Sequence, residues 1–157
     1  MFGIRGLSLF AEYHGDTRAT ADAFDDAGYF RTGDCVRLLP SGSIQYVTRL
    51  KDMLKVGGEN VASAEIERVC GQVPGITAAA VVGRRDAFLD EVPVAFVVAP
   101  GQDVDEVASS VLAACTDQLA SFKVPRSVHV IDELPESLIG KIAKAELRKL
   151  AEHLATS

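Results

Sequence analysis

Residues 78–99 read AAAVVGRRDAFLDEVPVAFVVA and hold two apolar runs of strand length, 78–83 and 92–99. A third run of this kind covers residues 127–131. Runs of about four to eight apolar residues bounded by turn residues are typical of strands. The pattern therefore predicts three strands that share one small sheet.

Apolar residues at helical spacing lie on both sides of these strands. Ile66 and Val69 begin a helical stripe, which Pro74 ends. Farther along, Asp103 precedes a long apolar stripe and stands three residues before a glutamate, as in a capping box. A last stripe, which includes Leu147, predicts a helix near the end of the chain.

Two hairpins complete the predicted fold. One joins two strands within residues 35–48, and the other turns at Gly57-Gly58 within residues 51–61. We predict the α+β class, with a small mixed or antiparallel three-stranded sheet packed with helices. The hairpin at the double glycine adds two strands, and the earlier hairpin precedes the whole unit.

The composition is that of an ordinary globular chain. Of its 157 residues, 48% are hydrophobic and 24% are charged, which makes disorder, collagen and coiled coil poor interpretations. The net charge of −6 argues against broad binding of nucleic acid or anionic lipid. No apolar stretch has the length of a membrane span, and three scattered cysteines favour neither a disulfide framework nor a zinc site. We therefore expect a cytoplasmic protein without a metal centre.

Thr32-Gly33-Asp34 places a carboxylate at a turn that leads into a strand. Such a carboxylate can accept hydrogen bonds from two vicinal hydroxyls, as in a ribose. From the tripeptide alone, an ordinary turn aspartate is the better interpretation.

Two further stretches carry cations beside glycines. Residues 49–60 read RLKDMLKVGGEN, and the double glycine would let the backbone approach a ligand closely. Residues 134–142 read LPESLIGKI, and the lysine after the glycine could present its ammonium to phosphate or carboxylate oxygens. Taken singly, the first is also a hairpin with solvated charges, and the second is also a surface lysine.

In this order and spacing, the stretches resemble the C-terminal end of the acyl-adenylate-forming enzymes. That superfamily includes acyl-CoA synthetases, luciferases and peptide-synthetase adenylation domains. YFRTGD at residues 29–34 looks like the family's Tyr-x-x-Thr-Gly-Asp, RLKD at 49–52 looks like its hinge, and GK at 140–141 looks like its terminal Gly-Lys. The stretches KVGGENV, EIE, AVVG and DEVPVAFVV favour the acyl-CoA synthetase branch of AMP-dependent ligases.

The resemblance implies a division into two parts. Residues 1–50 look like the incomplete tail of a large N-terminal AMP-binding domain, and residues 51–157 look like the mobile C-terminal domain. Lys51 falls at the family's hinge position. We expect the abrupt start at Met1 to reflect a cut through the larger neighbour.

The resemblance also implies residue roles. Lys141 and Lys55 would be the catalytic residues, with Lys141 acting in adenylation. Ribose hydroxyls would bind Asp34, with Arg49 assisting. Gly58 would lie beside the pantetheine tunnel, where a side chain would block the thiol. The full set of expected cofactor-binding residues is Asp34, Arg49, Gly57, Gly58 and Glu59.

The chain departs from the resemblance just before Lys141. The family's pattern there is Pro-(Arg/Lys)-Thr-x-x-Gly-Lys, whereas residues 136–139 read ESLI. An acid stands where the family has a base, and we expect a hydroxyl to be missing. Both differences are expected to lower the efficiency of adenylation.

These roles imply an ATP-dependent acyl-CoA synthetase, an acid–thiol ligase. It would convert a carboxylate, ATP and CoA into acyl-CoA, AMP and pyrophosphate through acyl-AMP, with Mg²⁺ bound outside this chain. Its partners would be the missing N-terminal domain and a small carboxylic acid, and the chain alone would be inactive. One alternative is a natural truncation that acts as a non-catalytic protein-binding module. Another is an α+β domain whose motif matches are accidental.

Overall fold

The computed structural model describes residues 2–138 and 140–155 and divides into two compact units. The first unit comprises the described residues up to Lys51, and the second comprises those from Asp52 onward. Met1 and Ile139, which figure in the expectations above, lie outside the described residues.

The first unit holds one helix and two small antiparallel sheets. Strand β1 pairs with β2, and β3 pairs with β4. The Asp16 carboxylate caps the helix by accepting the Ala19 N–H at 2.8 Å. The elements are β1 (Gly3–Ile4), α1 (Thr17–Ala23), β2 (Phe30–Arg31), β3 (Asp34–Leu38) and β4 (Ile44–Arg49). The hairpin predicted within residues 35–48 is therefore confirmed.

The second unit alternates strands and helices around one sheet. Its elements are β5 (Met53–Val56), β6 (Glu59–Ala62), α2 (Ser63–Cys70), β7 (Ala78–Asp86), β8 (Asp90–Val98), α3 (Val104–Gln118), β9 (Ser127–Val130) and α4 (Lys144–Leu154). The three apolar runs form β7, β8 and β9, as predicted. Asp103 caps α3 by accepting the N–H groups of Asp105 and Glu106 at 3.0 Å.

Strand β8 is the centre of this sheet. It pairs antiparallel with β7 along its whole length and parallel with β9 from Val94 to Val97. The β5–β6 hairpin joins β8 through the single pair Val56–Asp90. The predicted α+β class with a small mixed sheet is confirmed, and the hairpin at the double glycine extends that sheet by two strands.

The sheet has helices on both faces. Val81 and Val97 pack with α2 and α3 in one buried cluster, whereas Ala80 and Phe96 pack with Leu147 of α4 in another. Successive residues of a strand point to opposite faces, so helices cover the side chains of β7 and β8 on both faces of the sheet. This arrangement explains why residues 78–83 and 92–99 are apolar without alternation.

Candidate functional site

Asp34 and Arg49 face each other where β3 begins and β4 ends. They are paired in register, and Arg49 Nε lies 3.2 Å from Asp34 Oδ1. Both line an open groove of about 790 Å³, together with Tyr13 and Asp22. A carboxylate has lone pairs on two oxygens, so the ion pair leaves it capacity to accept hydrogen bonds from hydroxyls.

The turn before Asp34 is fixed by the two residues that precede it. Gly33 has a φ of 73°, a left-handed conformation that glycine adopts without steric cost. Thr32 Oγ1 accepts the Asp34 N–H at 3.1 Å and donates to the Phe2 carbonyl at 2.8 Å. The Thr-Gly-Asp sequence therefore holds the Asp34 carboxylate at the rim of the groove.

Lys51 lies in a short 3-10 turn, Leu50–Asp52, at the end of the first unit. The Leu50 N–H donates to the Gly33 carbonyl at 2.7 Å, which ties the start of this turn to the Thr-Gly-Asp segment. The boundary between the two compact units falls directly after Lys51.

The double glycine forms the tight turn of the β5–β6 hairpin. Gly57 and Gly58 have φ values of 58° and 87°, as a two-residue turn of this kind requires. A Cβ on Gly57 would lie 3.2 Å from Leu89 Cδ2, whereas one on Gly58 would meet no heavy atom within 4 Å. Lys55 and Glu59 are both exposed beside this turn. The hairpin thus presents a side-chain-free backbone flanked by an ammonium and a carboxylate.

Lys141 stands on a short two-stranded arm. Glu136 and Ile142 form an antiparallel bridge, and the Ala143 N–H donates to the Pro135 carbonyl at 2.7 Å. The Ser137 N–H donates to the carbonyl of Lys141 at 2.7 Å. Because both strands of the arm are bonded to each other, the exposed Lys141 is held on an ordered segment rather than a free loop.

The expectation of a missing hydroxyl in this arm is wrong. Ser137 occupies the place of the pattern's threonine, and its Oγ accepts the Lys141 N–H at 3.3 Å. Serine and threonine carry the same hydroxyl, so the second residue of the 136–139 stretch agrees with the pattern in its chemistry. The acid at Glu136 remains a difference from the pattern.

The arm and the double-glycine hairpin lie at opposite ends of β8. Gly57 donates its N–H to the Leu89 carbonyl at 2.8 Å, next to the first residue of β8. Pro135 and Ile142 line a groove with Val98, the last residue of β8. Since β8 has nine residues and a strand rises about 3.3 Å per residue, roughly 26 Å separates the two ends. The double-glycine turn and the Lys141 arm therefore lie near different ends of the sheet.

Sequence reasoning missed the contacts that hold α4 in place. Lys144 Nζ lies 2.6 Å from Glu67 Oε1 and 2.8 Å from Ser63 Oγ. The first turn of a helix carries partial positive charge, so a lysine there is unfavourable unless an acid lies nearby. This was the one local sign that Lys144 has a partner elsewhere in the chain. Arg148 of the same helix lies 3.4 Å from Asp52.

Comparison with known proteins identifies the second unit. Residues 65–141 match the model of the AMP-binding enzyme C-terminal domain. The second unit belongs to this family. The match covers most of α2, strands β7, β8 and β9, helix α3 and the part of the arm up to Lys141.

Relatives of this AMP-binding enzyme family match nearly the whole chain. The 7a-methyl-1,5-dioxo-octahydro-1H-inden-4-yl propanoyl:CoA ligase of Mycobacterium tuberculosis is 45% identical over 94% of this chain and 29% of its own length. The indoleacetate–CoA ligase of Aromatoleum aromaticum is 39% identical over 94% of this chain and 28% of its own length. The chain thus spans less than a third of the length of the curated relatives it matches.

A solved structure agrees with the sequence relatives. The ATP-bound MatB of Rhodopseudomonas palustris superposes with a TM-score of 0.89 and 33% identity, over 97% of this chain and 30% of MatB. In fold and in sequence, the chain is therefore similar to the C-terminal portion of acyl-adenylate-forming enzymes, and the relatives named above are CoA ligases.

Metal-ligand clusters and membrane-spanning helices are both absent from the described residues. Within residues 2–138 and 140–155, no three side chains of His, Cys, Asp or Glu meet in a way that could hold a metal ion. None of the helices described in these ranges combines the length and apolarity needed to cross a bilayer. The cellular compartment stays a prediction.

Proposed function

We propose that this chain is the C-terminal part of an ATP-dependent acyl-CoA synthetase. The reaction joins a carboxylic acid to CoA through acyl-AMP, with AMP and pyrophosphate as the other products. Support comes from CoA ligases among the relatives and from the position of the expected site residues in turns or near strand ends.

The observation that carries the proposal is the separation of the two loops along β8. The double-glycine turn lies beside the start of β8 and the Lys141 arm lies near its end, and a nine-residue strand is roughly 26 Å long. A reaction in two steps can use both loops only if the domain turns between the steps. A hinge at Lys51, the last residue of the first unit, would allow such a turn.

In the adenylation step, Lys141 is the catalytic residue. Its ammonium offsets negative charge that builds on the attacking carboxylate and the α-phosphate oxygens in the transition state. Asp34 accepts hydrogen bonds from the ribose hydroxyls of the nucleotide, and Arg49 keeps the Asp34 carboxylate oriented. These contacts position the nucleotide relative to the incoming acid.

In the thioester step, the hairpin replaces the Lys141 arm at the reacting centre. Gly57 and Gly58 let the pantetheine chain pass close to the backbone, since neither residue has a side chain. The exposed Lys55 and Glu59 flank this passage, and Lys55 is the second catalytic residue. The CoA thiol loses its proton to solvent and its sulfur attacks the acyl carbonyl, and the bond from that carbonyl to the phosphate oxygen breaks, which releases AMP.

The remaining groups belong to a large N-terminal domain. That partner would hold the triphosphate with its Mg²⁺, the adenine and most of the acyl chain. The first unit would supply Asp34 and Arg49 to the nucleotide site, and we infer that the isolated chain does not turn over. The acyl group itself is selected by the partner domain.

A chimera tests this function. The chain replaces the stretch that it matches in the Mycobacterium tuberculosis ligase, whose sequence is 45% identical. We expect the chimera to form acyl-CoA from the host's acid, ATP and CoA, and the isolated chain to form none. A folded chimera without acyl-AMP or acyl-CoA formation would contradict the proposal and favour a non-catalytic binding module.

A further inference from the structure

The β5–β6 hairpin has little backbone attachment to the rest of the sheet. Val56–Asp90 is the single ladder pair that the described residues show between β5 and β8. The hydrogen bond from the Gly57 N–H to the Leu89 carbonyl lies directly beside that pair. Both contacts sit at one end of β5, and the rest of β5 is held toward the sheet by the buried side chains of Leu54 and Val56 rather than by backbone ladder pairs.

A side chain supplies the next contact along β5. Glu91 Oε2 accepts the Lys55 N–H at 2.8 Å, although the two residues are 36 positions apart in sequence. Lys55 is paired with Asn60 of β6, and its N–H points away from that strand toward β8. The Glu91 carboxylate therefore takes the place of a strand carbonyl where no backbone partner reaches.

Gly83 makes room for this carboxylate. It lies buried inside β7, opposite Pro93 of β8, and has no positive φ that would call for glycine. Glycine inside a strand costs stability and often marks a close approach by another group. A Cβ on Gly83 would lie 2.7 Å from Glu91 Oε1 and 2.8 Å from Glu91 Cδ. The Glu91 carboxylate occupies the space that a side chain at position 83 would need, which explains the glycine there.

The turn that precedes Glu91 is also fixed. Asp86 Oδ1 accepts the N–H groups of Phe88 at 3.0 Å and Leu89 at 3.1 Å. These hydrogen bonds lower the pKa of the Asp86 carboxyl, so it stays ionised and keeps accepting them. The Leu89 carbonyl and the Glu91 side chain therefore approach the hairpin from one ordered segment.

We propose that Glu91 is a positioning residue that fixes the angle of the β5–β6 hairpin on the sheet through the Lys55 N–H. Gly83 provides the space in which the Glu91 carboxylate lies. The inference rests on the proposed function, because it makes Glu91 necessary for the thioester step and not for adenylation. A carboxylate acceptor gives a stronger hydrogen bond than a neutral one, which suits a contact at a position where β5 has no ladder pair with β8.

Three variants test the inference in the chain and in the chimera. Glu91→Ala removes the acceptor of the Lys55 N–H, and Glu91→Gln keeps an acceptor oxygen. Gly83→Ala places a methyl group where the Glu91 carboxylate lies and so displaces it. Amide hydrogen exchange at Lys55 is followed in the chain. Adenylation and thioester formation from supplied acyl-AMP are followed separately in the chimera, and circular dichroism confirms that each variant folds.

Loss of a hydrogen bond to a charged group gives the expected size of the effect. Glu91→Ala and Gly83→Ala should speed Lys55 exchange roughly tenfold or more and lower kcat/KM for CoA by a similar factor. The rate of adenylation should stay unchanged in both variants. Glu91→Gln should keep Lys55 exchange and kcat/KM for CoA close to those of the unsubstituted protein. A merely structural role would instead lower both half-reactions together.

Each other outcome counts against a defined part of the inference. Unchanged Lys55 exchange in Glu91→Ala would show that the contact does not hold the hairpin. Faster exchange with an unchanged thioester step would overturn the positioning role. An unsubstituted chimera that cannot form the thioester would contradict the proposed function and the role with it, while the exchange data would still decide the contact.

Discussion

At the scale of single residues, Asp34 is the group on which nucleotide binding depends in this account. Its carboxylate is only partly exposed and already paired with Arg49, so it is held in one orientation before any ligand arrives. A pre-oriented acceptor loses little entropy on binding, which favours a specific contact with vicinal hydroxyls.

Replacing this carboxylate should weaken nucleotide binding. In the chimera, we expect Asp34→Ala to raise the KM for ATP by roughly tenfold to a hundredfold, the cost of a lost hydrogen bond to a charged group. Asp22→Ala is the matched control, because Asp22 lines the same groove without the ion pair to Arg49. Steady-state kinetics with varied ATP measure the effect. Equal changes in both variants would remove the special role of Asp34.

His129 gives the fold a dependence on pH. Its ring stacks on Phe96, Nε2 lies 3.0 Å from Ser127 Oγ, and burial together with the nearby Arg84 lowers the pKa of His129 below 6.5. The folded chain therefore favours the neutral ring. As pH falls through 6.5, the unfolded chain takes up the proton first, so stability falls until the lower folded pKa is passed.

We predict that this loss disappears in His129→Gln. Urea unfolding between pH 7.5 and pH 5 should show a larger fall in the free energy of unfolding for the unsubstituted chain than for the variant. The carboxyl groups titrate equally in both proteins. The difference between the two falls in the free energy of unfolding therefore comes from His129. Parallel pH profiles would show that the ring has the same pKa in the folded and unfolded chain.

At the scale of elements, the turn between β7 and β8 carries backbone strain. Asp90 has a φ of 64°, in the left-handed region that side chains other than glycine rarely adopt. It is also the residue through which β5 pairs with β8. The strain therefore sits where the hairpin joins the sheet.

Relief of this strain should stabilise the second unit. We expect Asp90→Gly to raise the free energy of unfolding by up to about 1 kcal/mol, since the left-handed conformation costs about 1–2 kcal/mol and glycine loses part of this gain through its unfolded-state entropy. Asp90→Ala keeps the strain and should give no gain. Urea denaturation measures both, and a less stable Asp90→Gly would mean that the Asp90 side chain makes a stabilising contact.

Local pattern was enough to predict most elements of the second unit. The stripe through Ile66 and the cap at Asp103 predicted α2 and α3, and the apolar runs predicted β7, β8 and β9. These signals lie within a few residues of the structure that they specify. Helix α2, however, ends at Cys70 rather than at Pro74, because Gly71 and the residues after it continue as turns.

Contacts between distant residues could not be predicted in this way. The parallel pairing of β9 with β8, the Glu91–Lys55 hydrogen bond and the Lys144–Glu67 ion pair each join segments more than about 30 residues apart. They depend on how the elements pack and not on any local pattern. The motifs therefore predicted which loops could carry chemistry. The end of the sheet at which each loop lies could be learned only from the structure.

At the scale of the whole molecule, the two units differ in their cores. Both buried hydrophobic clusters consist of residues from Leu54 onward. Among the described residues of the first unit, Thr48 is the one side chain that is almost fully buried. Most of the hydrophobic stabilisation thus lies in the second unit.

The second unit should therefore fold by itself. We expect a chain of residues 52–157 to unfold cooperatively in urea, with a free energy close to that of the corresponding transition in the full chain. Residues 1–51 alone should show no cooperative transition, because they bury too little apolar surface. Circular dichroism follows both. A second unit that is unfolded without residues 1–51 would contradict the division.

The central claim is that one domain serves two half-reactions from opposite ends of its sheet. The most direct measurement follows both half-reactions in the chimera with Lys141→Ala, using Lys149→Ala on the exposed side of α4 as the control. We predict that Lys141→Ala lowers acyl-AMP formation by roughly a hundredfold or more, while thioester formation from supplied acyl-AMP stays close to that of the control. Equal loss of both half-reactions, or no loss of adenylation, would contradict the account.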